Sequence, residues 1–284
     1  TPGAYRTDPV AATVPAAWRD TPSVYGPAFT ALSSVVVRAT GERVDAAALV
    51  FRAIAAASVL AIALLAAASG PAPGRAAAFV AWNPLLAVHF GGGGHNDATM
   101  VALVAGGIVA TARGRALLGG ALWAGGVFVK WIPALLYPLW LLSIRRARAP
   151  AAAALSVAVV VLAAAATWRW GSDWLRSASP LAHAAETGSR YSSVRRLTNL
   201  GLDVTAARAV VIAAASVGAL LLVRRAWRGA PVVGLAACLL LVVTPWLLPW
   251  YAVWAIGLAA AERGAAPWLA LALGAYLLPA RIPV

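Results

Sequence analysis

Apolar runs of very unequal length, joined by short polar or arginine-rich pieces, set the pattern of the chain. Residues 1–26 are polar and proline-containing, and 27–38 form an apolar but short stretch. Residues 46–68 make a full-length span, whereas 76–90 make a shorter one broken by Asn83-Pro84. The run 98–112 ends at the basic Arg113-Gly114-Arg115. The run 116–144 is too long for one comfortable span. Lys130 and Pro133 in its middle predict two short helices meeting at a bend, because a proline ring clashes with the preceding helical turn. Residues 151–167 form a span, 168–204 a long polar loop, and 206–223 a span closed by arginines. Residues 231–248 and 252–261 flank "TPWLLPWY", and 265–279 follow. About 20 apolar residues cross ~30 Å of hydrocarbon, so the pattern predicts an all-α polytopic membrane protein of roughly nine to ten membrane segments, some short or re-entrant. No internal repeat or low-complexity linker divides it, and residues 1–284 read as a single domain.

Composition sharpens this reading. Hydrophobic residues make up 62% of the chain and charged residues 11%, with mean hydropathy +0.81. Soluble domains carry about a quarter charged residues, and one soluble core would not hide so many apolar runs. The net charge of +14 would suggest nucleic acid in a soluble protein. Here the arginines gather in short joints, as in Arg145-Arg146-Ala147-Arg148 and Arg224-Arg225-Ala226-Trp227-Arg228. That is topology signalling, so membrane lipids and not nucleic acid are the expected partners, at the cell membrane. With 113–115, 145–148 and 224–228 inside, Lys130, the loop 168–204, the turn 245–251 and the glycine turn 91–97 face outside. Residues 1–26 become a polar first external loop only if one segment between 27 and 90 fails to cross. The Asn83-Pro84 break marks 76–90 as the re-entrant candidate, with a cavity expected beside it, because such backbone needs cover from protein or water. Cys238 is the only cysteine, which leaves no disulfide framework or thiolate metal site. A start at Thr1 and a stop at Val284 just after an apolar run predict a piece of a longer protein, truncated at both ends.

Chemistry is concentrated in few places. In "HFGGGGHNDATM" four glycines lead into His95, Asn96 and Asp97. One reading is structural: glycine ends a helix and Asn96 or Asp97 caps the next. The other is a site, because glycines let a backbone approach a ligand and free N–H groups at a helix start suit an anion such as phosphate. Lys130 lies mid-run in "FVKWIP". It either faces a partner in a wet pocket or snorkels to the nearer interface beside Trp131. In the first loop "YRTDP" carries Tyr5, Arg6 and Asp8, and "WRDTPSVYGP" carries Asp20 and Tyr25. Asp8 reads as a turn residue before Pro9 or as a general base held over the membrane. "SRYSSVRRLTNLG" holds Arg190, Arg195, Arg196 and Asn199. Arginines on the external side invite an anionic partner, with lipid headgroups the plain alternative. Trp246, Trp250 and Tyr251 fit an interfacial aromatic belt, and the last two could equally stack on a sugar face. No P-loop, nucleotide-binding glycine fingerprint, His/Cys metal spacing or Asp-x-Asp pair occurs, so nucleotide-driven chemistry has no support and neither metal nor cofactor is expected.

Taken in order, "YRTDP", "WRDTPSVYGP", "WNPLLAVHFGGGGHND", "KWIP" and "PWY" resemble the polyprenol-phosphate-mannose-dependent alpha-1,6-mannosyltransferases of actinobacterial type, C-fold membrane glycosyltransferases that act in lipoglycan and cell-envelope synthesis. The resemblance covers nearly the whole chain. It implies a mannosyl donor on polyprenyl phosphate, a lipid-linked glycan acceptor, and inverting transfer on the outer face without a metal. By position Asp8 matches the family's loop carboxylate, which would deprotonate the acceptor hydroxyl. His95, Lys130, Arg195 and Arg196 become candidates for the donor phosphate. Asn96 and Asp97 would shape the site or contact sugar, and Tyr5, Arg6, Asp20, Tyr25, Asn199, Trp250 and Tyr251 would line it. The competing class is a transporter or flippase of a lipid-linked or anionic substrate, which would use the same broken helices and buried lysine.

Overall fold

In the computed structural model, residues 14, 16–19, 21–41, 43–179 and 188–279 are described, and among them there are helices and no strands. The helices are α1 (Ala16–Arg19), α2 (Pro27–Thr40), α3 (Val44–Ala67), α4 (Pro73–Ala81), α5 (Asp97–Ala112), α6 (Ala116–Val129), α7 (Pro133–Ser143), α8 (Arg148–Trp170), α9 (Ser193–Asn199), α10 (Val204–Trp227), α11 (Val233–Val243), α12 (Ala252–Ala259) and α13 (Ala265–Leu277). Only α3, the stretch Arg145–Trp170 and α10 are long and apolar enough to cross a membrane, while α5, α6, α7, α11 and α13 are shorter apolar helices. The break within 116–144 falls where the sequence puts it: α6 stops at Val129, Lys130 takes extended backbone, and α7 restarts with Pro133 in its first turn. Two expectations need correction. The stretch 168–204 is not simply a loop, because α8 runs on to Trp170, a 3-10 turn covers Asp173–Ala178, and α9 follows. The run 231–248 is helical only as far as Val243, where Thr244 and Pro245 begin an irregular turn.

Small residues set how closely the helices pack. A Cβ on Gly120 would overlap the Ala151 carbonyl and meet the Leu155 amide at 2.9 Å, so α6 and α8 touch backbone to backbone. Gly107 of α5 faces the Gly119 carbonyl of α6 in the same manner. Between apolar helices in lipid, close approach of small residues takes over the part that water-driven burial has in soluble proteins. Gly120→Val is therefore expected to lower the melting temperature in detergent, with a destabilisation of about 1–3 kcal/mol from overpacking. Gly125→Ala, whose new methyl would meet only Leu103 side-chain carbons at 3.6 and 3.9 Å, should be close to neutral in the same measurement.

The same contacts fix the helix registers. Ser58 Oγ lies 2.9 Å from Thr99 Oγ1, Gly120 lies level with Ala151 and Leu155, and Gly218 packs on Leu239. At 1.5 Å rise per residue, α3 then extends about 18 Å beyond the start of α5, α8 about 12 Å beyond the end of α6, and α10 about 15 Å beyond the end of α11. All three overhangs are at one end of the bundle. The short helices thus stop together short of the tips of the long ones, and their joints share one level, the floor of the bundle. The 130, 91–97 and 245–251 joints lie on that floor. The arginine-rich joints 113–115, 145–148 and 224–228 gather at the other end.

Candidate active site

The glycine segment is built to bring polar side chains onto that floor. Asn83 accepts hydrogen bonds at Oδ1 from the Leu85 and Leu86 amides at 3.1 and 3.3 Å, and Pro84 starts the new turn with a preset φ. The chain continues as a π-helical turn over Ala87–Gly92, a form common at functional sites. Leu85, Leu86 and Phe90 are buried, so protein covers the segment that follows the Asn83-Pro84 break. Two of the four glycines are required by the backbone. Gly94 has φ +69° and lies against the Arg52 amide, where a Cβ would come within 3.3 Å, and a Cβ on Gly93 would meet the His89 carbonyl at 2.6 Å. A cavity of about 1170 Å³ lies at the arginine-rich end.

Neither Asn96 nor Asp97 works as the expected helix cap. Asn96 occupies the cap position of α5 without a side-chain cap bond, and its Nδ2 is buried with no hydrogen-bond partner among the described residues. Asp97 Oδ1 instead accepts from Lys130 Nζ at 2.8 Å and from Trp254 Nε1 at 2.7 Å. One buried carboxylate oxygen therefore joins the start of α5, the α6–α7 bend and α12. Lys130 is only 6% exposed, so the snorkelling alternative fails. Its ammonium lies 4.7 Å from the Tyr251 ring centroid and 5.7 Å from that of Trp254, with Tyr251 and Trp254 stacked at 4.2 Å. An ammonium has three donors, and one of them is engaged by Asp97. Aromatic faces supply a second, charge-favouring contact in a place where water does not.

Beside this pair, His95 stacks on Trp250 with centroids 4.0 Å apart and planes 11° from parallel. His89 completes a cluster, 5.9 Å from His95 and 5.8 Å from Trp250. Burial pushes the pKa of His95 down to about 4, against a smaller raising effect of Asp97. His95 is thus neutral at working pH, and in this state it offers one donor and one acceptor and no cation. The direction has a consequence for stability. The unfolded imidazole takes up its proton near pH 6.5, so the contribution of His95 is complete above that value and is lost as pH falls toward 4. A His95→Gln variant should accordingly show a flatter stability profile than the parent between pH 6.5 and 4, read by thermal melts across that range.

The structure brings Tyr25, His95, Asn96, Asp97, Lys130, Trp250 and Tyr251 to one place. Tyr25 packs edge-on to Phe29 at 5.2 Å and stays 39% exposed. The adjacent Gly26 amide donates to the Val129 carbonyl at 3.0 Å, which fastens the end of the first loop to the bend. Tyr5, Arg6, Asp8 and Asp20 lie outside the described residues. The arginine stretch is engaged elsewhere at the same end. Arg196 Nε donates to Tyr276 Oη at 2.6 Å, and Tyr276 Oη donates to the Tyr191 carbonyl at 2.9 Å. Arg190 lies over the Tyr191 ring, and Arg195 and Asn199 are exposed on α9. A link to the floor comes from Ser189, whose amide and hydroxyl donate to the Pro245 and Leu247 carbonyls. Sequence reasoning missed Trp254 and His89. Trp254 sits in the featureless run "AVWAIG", where no local pattern marks an indole as a donor to a carboxylate. His89 had a signal, being a histidine among apolar residues six positions before His95.

Two family models match the chain: the alpha-(1->6)-mannopyranosyltransferase N-terminal domain over residues 2–146, and the MptB C-terminal domain over residues 178–278. An alpha-(1->6)-mannopyranosyltransferase of Mycobacterium tuberculosis is 37% identical over 105 residues, which is 36% of this chain and 18% of that protein. The matched region is thus a small part of the relative's length. No solved structure matches the chain.

Proposed function

We propose, from the premise that the chain belongs to the alpha-(1->6)-mannopyranosyltransferase family, that it is a glycosyltransferase that moves mannose from a polyprenyl-phosphate donor to a lipid-linked glycan acceptor at the outer face of the membrane. The observation that carries the reading is the buried Lys130. Its ammonium bonds Asp97 and keeps two further donors, and the Nδ2 of Asn96, the residue before Asp97, is buried with no hydrogen-bond partner among the described residues. Donors fixed in a dry place stabilise a charge that grows on a leaving oxygen, because nothing has to reorganise when it forms. In this proposal the donor phosphate lies against Lys130 and Asn96. His95 presents a neutral ring edge, and Trp250 and Tyr251 give apolar faces for a sugar ring. Asp8 takes the proton from the acceptor hydroxyl, which attacks the anomeric carbon from the side opposite the phosphate. The carbon–oxygen bond to the phosphate breaks, polyprenyl phosphate leaves with the bonding pair, and the configuration inverts. Arg195 and Arg196 stand as external phosphate contacts during entry, and Tyr5, Arg6, Asp20, Tyr25 and Asn199 as lining of the acceptor path.

The test is direct. Membranes containing the protein are given labelled polyprenyl-phosphate mannose and a mannan acceptor, and label is counted in the acceptor. Transfer above a vector control supports the reading. Label that changes leaflet without forming a glycosidic bond would replace it with a flippase.

A further inference from the structure

The floor is not the only place with unexplained polar groups. At the opposite end, the cavity of about 1170 Å³ opens between the joints that follow α3, α5, α7, α10 and α12. Its wall is mixed. Leu65, Ile108 and Leu258 supply apolar surface, and five arginines and one glutamate supply the charge. The arginines differ in how they are held. Arg145 donates to the Trp227 carbonyl and Arg225 to the Pro231 carbonyl, so these two brace the joints. The side chains of Arg113, Arg146 and Arg263 make no hydrogen bond or ion pair with the described residues. The glutamate does not neutralise them: Glu262 Oε1 accepts from the Gly234 amide at 2.8 Å, which ties the α12–α13 joint to the start of α11. Topology signalling accounts for basic residues near segment ends. It does not require a hollow between them with an apolar wall.

We infer that this cavity holds an anionic membrane phospholipid, its phosphate among Arg113, Arg146 and Arg263 and an acyl chain along the apolar wall. Charge complementarity selects the occupant: guanidinium forks match phosphate oxygens, and basic hollows between membrane helices take anionic headgroups. The apolar wall favours an amphiphile over a free anion. At this volume the cavity also exceeds the ~300–1,000 Å³ usual for a small-molecule pocket. The site is separate from the Asp97–Lys130 floor and stands whether or not the proposed transfer reaction is correct.

The experiment is native mass spectrometry of the full chain in nanodiscs of equal phosphatidylglycerol and phosphatidylcholine. Phosphatidylglycerol is expected to remain bound in preference to phosphatidylcholine by at least about tenfold. The triple variant Arg113→Gln, Arg146→Gln, Arg263→Gln should lose that preference, and the charge-matched Arg38→Gln, Arg169→Gln, Arg208→Gln should keep it. Ala112→Trp, which puts an indole into the cavity beside Arg113 with all arginines intact, should also weaken it and guards against a triple variant that fails to fold. Equal retention of both lipids would overturn the inference, as would equal loss in the two triple variants or unchanged retention in Ala112→Trp. Displacement of the bound lipid by inorganic phosphate would assign the site to a free anion and overturn it too.

Discussion

Asp97→Ala is expected to destabilise the protein by about 3–5 kcal/mol and to abolish mannosyl transfer, because it leaves a buried ammonium without its counter-charge. The reasoning rests on geometry. Lys130 and Asp97 are both buried, and the carboxylate also accepts from the Trp254 indole, so three elements lose their shared anchor at once. Lys130→Met has a similar cost for the complementary reason, since it strands the carboxylate. The double variant Asp97→Ala, Lys130→Met separates folding from chemistry. Replacing a buried pair with apolar groups is often close to neutral, so its melting temperature should recover most of the loss. Transfer should not recover, because the ammonium proposed to meet the donor phosphate is gone. Melting in detergent and label transfer at matched expression read the two effects. A double variant that regains both would make the pair purely structural and move the phosphate contact to His95, Asn96 or the α9 arginines.

Asp8→Asn should lower transfer by roughly 10²–10⁴-fold at matched expression, the usual worth of a positioned general base, while melting stays unchanged. The amide keeps the shape of the carboxylate and cannot take the acceptor proton. A loss in kcat with KM for the donor little changed is the expected form, since the proposed role of Asp8 is as base toward the acceptor hydroxyl. Full activity in Asp8→Asn would shift the base to Asp20, the other first-loop carboxylate. Asp97 is a poorer substitute, because its Oδ1 already accepts two hydrogen bonds.

Much of the fold was legible because punctuation in this chain is strong. Pro133 after a lone lysine marked the bend, Asn83-Pro84 marked the helix break after α4, and the arginine joints marked one end of the bundle. Apolar periodicity cannot say where a helix stops inside lipid-like surroundings. The extension of α8 to Trp170 and the end of α11 at Val243 were therefore misread, since Trp, Arg and Thr at these places suit either helix or loop. At the site, the residues that mattered were visible as types but not as partners. "HND" suggested a cap or a phosphate cradle. The structure uses Asp97 to hold Lys130, a pairing between residues 33 positions apart that no local spacing encodes. Trp254 was illegible for the same reason, 157 positions from the carboxylate it meets.

The helix overhangs also make hydrocarbon thickness a variable of the proposed reaction. Helices α5, α6, α7 and α11 have 16, 14, 11 and 11 residues and so extend only about 16–24 Å, less than the ~30 Å of a typical bilayer core. In that proposal the donor phosphate starts at the headgroup plane and sinks toward Lys130 by about the length of the helix overhangs. Its isoprenoid tail must bend aside as it does so. Longer host acyl chains lift the headgroup plane away from the floor, and shorter ones lower it, in the manner of hydrophobic mismatch. The depth of descent, and with it the cost of engaging the donor, is then set jointly by the protein and by the membrane in which it sits.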